Sequence, residues 1–493
     1  MKCVDGASAK LILRYDDHML SRRQFAGAVA AGIAAQAQSD RRPNIVVFLA
    51  DDLGCHDLGC WGARDLKTPN IDALAASGAR FTNWYAAAPV CAPSRAALLT
   101  GRYPIRAGVP NNGPALPAAE KTIAALVKPA GYATGLFGKW HLGAQPDTDP
   151  NAHGFDRYYG FHSGCIDYFS HRYYWGEPRT VNYHDLWRDR TEIFEDGQYA
   201  TELFAREAAQ FVRDHRARPF FAYVPFNAPH YPMHAPKKYL ERFAGLEPER
   251  RTYAAMISAL DDGVGLVMRT LREQGLAENT LVFFSADNGA TREARAGLNQ
   301  QPATAGNNAP FRGNKFSAFD GGMHVPMIMN WPGVIGGGKV IGEVGSHLDL
   351  MPTICAAAGA SPPGDRTLDG FDAMPLAVSG AKSKHEAIFW SSGGQLAVRR
   401  GPWKLVKDGK TFDGTPDGNK PLTGDDALFL SNLEEDPGEK TNLADRNPEK
   451  VKELQAWAVD LAKQAAPPLF LLELVRLGLS HAPEFPDIGG ELD

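Results

Sequence analysis

The sequence predicts an α/β protein in which helices cover both faces of a large, mixed and mostly parallel sheet. Four near-continuous apolar runs are typical of strands that are buried on both faces. Helical patterns lie between these runs, and this alternation favours a parallel sheet. The predicted strands are Asn44–Ala50, Tyr132–Phe137, Phe220–Val224 and Leu281–Ala286, and the predicted helices are Asn70–Ala79, Thr122–Ala130, Tyr199–His215 and Thr252–Gln274.

The C-terminal part of the chain predicts a second, smaller region with an antiparallel sheet. Short alternating runs with Gly-Pro turns between them are typical of such sheets, and they occur at Glu386–Trp390, Gln395–Arg399 and Trp403–Val406. A helix is predicted from Pro448 to about Gln464. We therefore predict a catalytic domain over residues 43–383, an α+β subdomain over 384–465 and a tail over 466–493.

Length and composition are those of a large globular enzyme. The chain has 493 residues, of which 44% are hydrophobic and 22% are charged, and this is enough for a sizeable core and two or three domains. The net charge of −5 gives no reason to expect nucleic-acid binding. A negatively charged substrate would have to be attracted by a local cluster of cations.

The N-terminal segment, residues 1–37, predicts export rather than structure. Ser21-Arg-Arg-Gln-Phe25 is a twin-arginine pattern, a weakly apolar stretch follows, and Ala35-Gln-Ala37 is a small-x-small cleavage site. The apolar stretch is too short and too mild for a stable membrane span. We expect a periplasmic or secreted enzyme that begins near Gln38, with Met19 as an alternative start. A disordered tail with a chance arginine pair is the other interpretation.

Polar side chains directly follow the first and fourth predicted strands. Asp51 and Asp52 follow the first strand, and Asp287 and Asn288 follow the fourth. A lone aspartate pair is more often a turn or a helix cap. Ligands of open α/β folds, however, bind at the carboxyl ends of the strands, and four hard oxygen donors favour calcium or magnesium over zinc. We therefore predict a metal site at this edge.

Basic residues form a second candidate group at the same edge. Lys139 and His141 follow the second predicted strand, His230 follows the third, and Lys315 lies in a Gly-rich turn. Each of these residues alone would be read as a surface charge or a structural histidine. Together with Arg95 they would surround a tetrahedral anion with positive donors.

The stretch Cys91-Ala-Pro-Ser-Arg95, which continues to Thr100-Gly-Arg102, places a cysteine at the start of a predicted helix. Pro93 suits the first turn of a helix, and the following residues are good helix formers. A helix N-terminus favours anions, and Arg95 adds a fixed positive charge. Most isolated cysteines are small buried core residues, so the surrounding residues decide the interpretation here.

This stretch resembles the signature of the type I sulfatases, which belong to the alkaline phosphatase-like superfamily. The resemblance implies that Cys91 is converted to formylglycine by a formylglycine-generating enzyme. It also implies that Asp51, Asp52, Cys91, Asp287 and Asn288 hold Ca²⁺, with Mg²⁺ as the alternative. Two local departures from the family pattern, Gly-Asn-Lys315 and Asp320-Gly-Gly, concern packing and substrate fit.

The resemblance further implies a division of roles in sulfate-ester hydrolysis. The hydrate of formylglycine at position 91, activated by the metal and Arg95, would attack sulfur. Lys139 and Lys315 would neutralise the sulfuryl oxygens. His230 would protonate the departing alcohol with assistance from Lys315, and His141 would take a proton when sulfate leaves.

Substrate class is predicted from one aromatic-rich segment. Residues 155–187 are dense in aromatic side chains, and Gly154–Gly160 with Asp167–His171 resembles the arylsulfatase B-like branch, so we expect a sulfated carbohydrate. Thr291–Pro310 is predicted to be a loop over the site that tunes specificity. The alternative function is hydrolysis of phosphomonoesters, phosphodiesters or phosphonates on the same fold. Pairing among Cys55, Cys60, Cys165 and Cys355 stays open.

Overall fold

The structure, a computed structural model, describes residues 42–174 and 182–465. The predicted signal segment (1–37) and the predicted tail (466–493) lie outside the described residues and stay predictions. The domain boundary predicted near residue 384 lies within the described residues and also stays a prediction.

The described residues contain sixteen strands. In chain order they are β1 Asn44–Ala50, β2 Ala79–Phe81, β3 Trp84–Tyr85, β4 Ala133–Lys139, β5 Arg157–Phe161, β6 Trp187–Arg188, β7 Thr191–Glu192, β8 Phe220–Pro225, β9 Thr280–Ala286, β10 Met327–Asn330, β11 Lys339–Ile341, β12 Gly345–Ser346, β13 Ile388–Ser392, β14 Gln395–Arg400, β15 Trp403–Lys407 and β16 Leu428–Asn432.

Ten α-helices accompany these strands in the described part of the chain. They are α1 Pro69–Ala76, α2 Cys91–Thr100, α3 Ile123–Val127, α4 Ala200–Asp214, α5 Lys237–Leu240, α6 Pro248–Glu273, α7 Asp320–Met323, α8 Leu350–Ala358, α9 Met374–Ser379 and α10 Pro448–Ala465. Short 3-10 turns cover Gly59–Trp61, Lys128–Ala130, Glu241–Phe243, Ala277–Asn279, Leu298–Gln300, His347–Asp349 and Gly424–Ala427.

Ten strands form the large sheet, in the order β11-β2-β10-β9-β1-β8-β4-β5-β6-β7. The central strands β9, β1, β8, β4 and β5 are parallel. β10 is antiparallel to β9 and β2, and β6 is antiparallel to β5 and β7. The predicted fold class, a large, mixed and mostly parallel sheet, is confirmed.

Apolar strand residues explain why this sheet lies at the centre of the molecule. Every residue of β1, β4, β8 and β9 is buried, as expected when helices cover both faces of a parallel sheet. Helix α4 packs on β4, β8 and α6, whereas α2 and α3 both pack on α8.

Two element boundaries differ from the sequence prediction. The first predicted helix ends at Ala76, and Ala79 instead begins β2, where it pairs with Met329 of β10. The second predicted strand extends through Lys139, because its backbone continues to pair with β5 as far as Phe161. Lys139 is therefore fixed on a strand rather than on the turn after it.

The second sheet is an antiparallel meander of β13, β14, β15 and β16, and α10 packs against β13, β14 and β15. Its alternating residues serve two cores. Leu396 and Val398 pack with Leu454 of α10, whereas Ala397 between them packs with Tyr85 and Phe319 of the large region. The second sheet is thus joined to the first by a shared apolar core.

A buried group of charges lies where the two sheets meet, and we call Asp320, Lys404, Glu439, Arg399 and Tyr85 the junction cluster. Lys404 Nζ lies 2.6 Å from Asp320 Oδ1 and 3.2 Å from Glu439 Oε1. The Tyr85 hydroxyl donates to Asp320 Oδ2 at 2.7 Å, and Arg399 donates to the Tyr85 oxygen. Asp320, one of the two departures noted above, is therefore an anchor between the sheets.

The cysteines of the described region are unpaired. Cys55, Cys60, Cys165 and Cys355 are free thiols, as is Cys91. Within residues 42–174 and 182–465, no helix has the length and apolar character needed to cross a bilayer.

Candidate active site

Four adjacent strands, β9, β1, β8 and β4, bring the predicted site residues to one edge of the sheet. Asp51 and Asp52 follow β1, and Asp287 and Asn288 follow β9. Lys139 ends β4, and His230 lies in the loop after β8. These side chains are all buried, whereas the predicted site residue His141 is half-buried. The buried charges therefore interact in a low-dielectric environment.

Cys91 is the first residue of α2, which begins after the extended residue Val90. Its Sγ lies 3.7 Å from Asp51 Oδ1 and 3.9 Å from Asp52 Oδ1. Burial raises the pKa of this thiol well above its ordinary value, although Lys139 and Lys315 lower it. The unmodified side chain is therefore a neutral thiol beside two carboxylates.

Arg95 and Lys139 hold two of these carboxylates from one side. Arg95 Nε and Nη2 both donate to Asp287 Oδ2, at 3.0 and 2.7 Å, and Nη2 lies 3.3 Å from Asp51 Oδ1. Lys139 Nζ donates to both oxygens of Asp51, at 3.0 and 2.8 Å. Burial lowers the pKa of Arg95, but Asp287 and Asp51 raise it to a net value above the ordinary one. The guanidinium therefore stays charged.

Lys315 approaches Asp52 from the opposite side of the site. Its Nζ lies 2.9 Å from Asp52 Oδ2, 3.2 Å from Glu293 Oε2 and 3.2 Å from His230 Nε2. An ammonium group has three donors, so these three acceptors saturate it. His230 Nδ1 lies 2.7 Å from the Tyr231 carbonyl oxygen; a carbonyl only accepts, so Nδ1 carries the ring hydrogen and Nε2 carries the lone pair.

His141 is half-buried and lies in a strained backbone conformation. Its φ is 57°, and Asp52 of the same site has a φ of 61°. Side chains other than glycine rarely adopt such values, which cluster at functional sites. His141 Nδ1 is buried without a hydrogen-bond partner among the described residues. Burial, with the charges of Lys139 and Arg95, lowers the pKa of this imidazole well below its ordinary value, so it is neutral.

These charged side chains and the polar groups beside them form one set, which we call the catalytic cluster. It contains the cations Arg95, Lys139 and Lys315, the carboxylates Asp51, Asp52, Asp287 and Glu293, and the neighbouring side chains of Cys91, His141, His230 and Asn288. Arg295 Nη2 also lies 3.8 Å from Glu293 Oε1, so cations and carboxylates are equal in number. The pKa of Asp52 still rises to about 7, because of burial and then of the nearby Asp51, Asp287 and Glu293, against the lowering effect of Lys315.

Comparisons with known proteins agree with this geometry. The Sulfatase family model matches residues 43–360. The N-acetylgalactosamine-6-sulfatase of Sus scrofa is 35% identical over 398 residues, which cover 76% of this chain and 73% of that protein. Arylsulfatase A of Bos taurus is 36% identical over 500 residues, which cover 93% of this chain and 91% of that protein.

The chain belongs to the sulfatase family. It is therefore a hydrolase of sulfuric esters, and the predicted family and reaction class are confirmed. Among solved structures, Ps i-CgsB in complex with k-i-k-neocarrahexaose is similar, with 33% sequence identity, a TM-score of 0.75 and coverage of 89% of this chain and 98% of that one. The narrower resemblance to the arylsulfatase B-like branch stays a prediction.

The residues of this sulfatase fit a metal ion. Asp51, Asp52, Cys91 and His230 each offer one donor atom, and these atoms lie within 4.8 Å of one another. Asn288 Oδ1 is buried and has no hydrogen-bond partner among the described residues, although Asn288 Nδ2 donates to Asp52 Oδ1 at 2.7 Å. An orphaned amide oxygen beside several carboxylates is the environment that a hard cation satisfies.

Sequence reasoning missed Glu293 and Tyr231. Glu293 lies in the predicted loop over the site, and the Tyr231 hydroxyl lies 3.3 Å from Glu293 Oε1. The available signal was weak: Glu293 follows Asp287 by six residues in a polar stretch, and Tyr231 directly follows His230. Neither residue directly follows a strand. The rule that ligands bind at the carboxyl ends of parallel strands, which located Asp51, Asp287 and Lys139, therefore did not apply to them.

Proposed function

We propose that this sulfatase acts on sulfated carbohydrates through formylglycine at position 91 and a bound divalent cation, calcium with magnesium as the alternative. The names of similar proteins support the substrate class, because one relative is an N-acetylgalactosamine-6-sulfatase and a structural neighbour is bound to k-i-k-neocarrahexaose. The four hard oxygen donors support a cation of this type.

One observation carries the proposal: Cys91 begins a helix at the point where three buried cations converge. Arg95 follows one turn later on the same helix, while Lys139 and Lys315 each reach a carboxylate that lies beside Cys91. The positive end of a helix dipole and fixed cations together complement a tetrahedral anion. A sulfate ester presents such a group.

The environment of Cys91 supports its conversion to another side chain. Since burial keeps the thiol neutral, it would be a poor nucleophile as cysteine. Formylglycine supplies an aldehyde whose hydrate is the nucleophile, and the cation supplies charge that favours the ionised hydroxyl and polarises a sulfuryl oxygen. The motif Cys91-x-Pro93-x-Arg95 is the segment that we expect the formylglycine-generating enzyme to recognise.

Lys139 and Lys315 are placed to bind sulfuryl oxygens. Arg95 has a different task, because its Nε and Nη2 are already committed to Asp287. It holds that carboxylate in place and keeps the local charge balanced. The two lysines are point charges on flexible stems and can turn from their carboxylates to a bound anion.

The hydrogen bonds support Lys315 as the source of the proton for the departing alcohol. His230 Nε2 carries a lone pair and accepts from Lys315 Nζ, so Lys315 is the group that holds a proton there. His230 orients the ammonium group and can share its proton. We therefore propose Lys315 as the direct donor and His230 as its partner, the reverse of the roles that the resemblance implies. The unpartnered Nδ1 of neutral His141 is available to accept a proton when sulfate leaves.

Export through the twin-arginine pathway is part of the proposal. The arginine pair Arg22-Arg23 and the cleavage site at Ala35-Gln-Ala37 support a periplasmic or secreted enzyme. This pathway carries folded proteins, which suits an enzyme that is modified and loaded with metal before export.

The test is a comparison of matched esters with enzyme coexpressed with a formylglycine-generating enzyme. A peptide mass spectrum across Cys91 first establishes the aldehyde. We expect nitrophenyl sulfate and sulfated sugars to be hydrolysed far faster than the matching phosphate and phosphonate esters. Faster turnover of the phosphate or phosphonate would overturn the proposal in favour of the alternative function, as would full activity with an unmodified thiol.

A further inference from the structure

A cavity of about 340 Å³ opens beside the catalytic cluster, and Lys315 and Glu293 form part of its wall. The loop after β9 contributes Arg292, and the segment between β15 and β16 contributes Phe412 and Asn419. Phe316, next to Lys315, also lines the cavity. The volume of the cavity lies at the lower end of the range for small-molecule sites, which is about 300–1,000 Å³.

Two phenylalanine rings in this wall are held in strained backbone conformations. Phe316 has a φ of 76° and Phe412 a φ of 47°, values that bulky residues rarely adopt. Their ring centroids are 5.5 Å apart, with an angle of 48° between the planes. Such strain persists only where the surroundings impose it, and it concentrates at functional sites. Asp52 and His141 of the catalytic cluster share this property.

Backbone hydrogen bonds from several elements fix the two rings. The Phe316 N–H donates to the Pro89 carbonyl at 2.6 Å, and the Phe316 carbonyl accepts from Gln395 Nε2 at 2.8 Å. The Phe412 N–H donates to the Gly418 carbonyl at 2.9 Å. The segment between β15 and β16 thereby places Phe412 beside Phe316 in the wall of the cavity. Rigid aromatic faces are a common surface for ligand binding.

The positive charge of Arg292 lacks a carboxylate partner among the described residues. Its guanidinium donates only to the carbonyl oxygens of Gly306, at 2.6 Å, and Thr291, at 3.4 Å. Glu293, the neighbouring acid, is occupied by Lys315, Arg295, Tyr231 and Thr291. A half-buried guanidinium without a counter-charge is suited to a ligand anion.

We propose that this cavity binds the part of the saccharide that adjoins the scissile ester. A sugar ring packs against Phe412 and Phe316, and a second anionic substituent of the substrate, sulfate or carboxylate, pairs with Arg292. The inference rests on the proposed function and narrows its substrate to saccharides with two anionic groups. Lys315 belongs to the catalytic cluster and also lines the cavity. A single ligand can therefore contact the catalytic cluster and the cavity at the same time.

The test compares three variants across four substrates. Phe412→Gly removes the ring at a φ that glycine adopts readily, so the backbone is retained; Phe412→Tyr keeps a ring; and Arg292→Gln removes the charge. The substrates are nitrophenyl sulfate, a disaccharide with one sulfate, and disaccharides with a second sulfate or with a carboxylate. Phe194→Ala and Arg157→Gln, at exposed positions, are the matched controls, and the thermal midpoint of each variant is recorded.

We expect Phe412→Gly to lower kcat/KM on all disaccharides about tenfold more than on nitrophenyl sulfate, and Phe412→Tyr to keep most of the disaccharide preference. Arg292→Gln should lower kcat/KM about 10- to 100-fold on whichever doubly anionic disaccharide is the substrate, with a much smaller loss on the monosulfated one. The doubly anionic disaccharide on which kcat/KM falls more identifies the second anionic group of the substrate as sulfate or carboxylate. The controls should match the wild type.

Two failures are distinguishable. Suppose that the wild type hydrolyses sulfated disaccharides, but that Phe412→Gly and Arg292→Gln lose no more activity on the disaccharides than on nitrophenyl sulfate. The cavity is then not a saccharide site, and the proposed function stands. If the wild type hydrolyses nitrophenyl sulfate and none of the disaccharides, the proposed carbohydrate function fails and this inference fails with it.

Discussion

The catalytic cluster and the junction cluster are built from the same kinds of side chain but differ in how their acceptor atoms are arranged. In the junction cluster, Lys404 lies between Asp320 and Glu439, and Tyr85 links Asp320 to Arg399. In the catalytic cluster, one donor atom from each of Asp51, Asp52, Cys91 and His230 lies within 4.8 Å of the others, and Asn288 Oδ1 has no hydrogen-bond partner among the described residues.

This difference separates a structural role from a binding role. Buried polar groups are normally satisfied, because an unpaired group costs roughly 1–3 kcal/mol. In the junction cluster Lys404 bridges the two carboxylates, and the cluster anchors the second sheet. The catalytic cluster instead gathers several ligand atoms around one point, which a cation and a substrate anion can complete. The arrangement of the ligand atoms, more than burial, distinguishes the two.

The largest expected effect is on the nucleophile of the catalytic cluster. Cys91→Ser should reduce multiple-turnover hydrolysis of nitrophenyl sulfate by more than about 10³-fold, because a serine lacks the second hydroxyl needed to expel sulfate. The fold should persist, since the change is nearly isosteric. Cys60→Ser, at a half-buried thiol outside the cluster, is the control. Full turnover by Cys91→Ser would remove the basis of the proposed mechanism.

Cation removal should affect only the catalytic cluster. Treatment with a chelator should abolish activity and lower the thermal midpoint, since a ligand at 100 times its Kd stabilises the folded state by about 2.7 kcal/mol. Calcium should restore both. Asn288→Ala removes the orphaned amide oxygen and should weaken the cation affinity at least about tenfold.

The junction cluster offers the control for this experiment, because Lys404→Met should leave the cation affinity unchanged. Full activity after exhaustive chelation, or equal cation affinity in Asn288→Ala and the wild type, would show that the gathered ligand atoms serve another purpose.

Breaking the junction cluster should affect stability. Lys404→Met leaves Asp320 and Glu439 buried without their shared cation, and removal of one partner of a buried pair typically costs about 3–5 kcal/mol. Urea unfolding would measure the loss, with Lys452→Met, an exposed lysine of α10, expected to change stability by less than about 0.5 kcal/mol. An equally small change in both variants would mean that the junction cluster contributes little.

The smallest expected effect is a pH dependence from the same cluster. Burial raises the pKa of Glu439 to about 7. The charge of Lys404 lowers this pKa, and the charge of Asp320 raises it further. Because the folded state binds this proton more tightly than the unfolded state, the stabilisation is full below the unfolded pKa of about 4.3 and is lost as pH rises through 7. The contribution is at most about 4 kcal/mol, and only part of it is lost between pH 5 and pH 8.

Glu439→Gln lacks this titration, so its stability relative to the wild type should increase between pH 5 and pH 8. Urea unfolding at several pH values would measure it. A constant difference across that range would show that Glu439 is ionised in the folded protein throughout.

Most of the catalytic cluster was predictable because its residues directly follow apolar strands. Asp51, Asp287 and Lys139 each follow or end such a run, and parallel strands bring their carboxyl ends to one edge. Glu293 was not predictable in this way, since it lies in an irregular loop. The junction cluster was missed for a related reason: Asp320 and Lys404 are 84 residues apart, and neither ends a strand of the large sheet.

The sequence by itself determined the strands, the helix that starts at Cys91 and the residue types at the edge of the sheet, because hydrophobic periodicity and helix-start preferences act over a few neighbouring residues. Only the tertiary structure decided which charges neutralise one another and which remain open. It also joined Phe316 and Phe412, which are far apart in the chain, into one wall. Ion pairing and burial depend on distances between segments that the chain order does not specify.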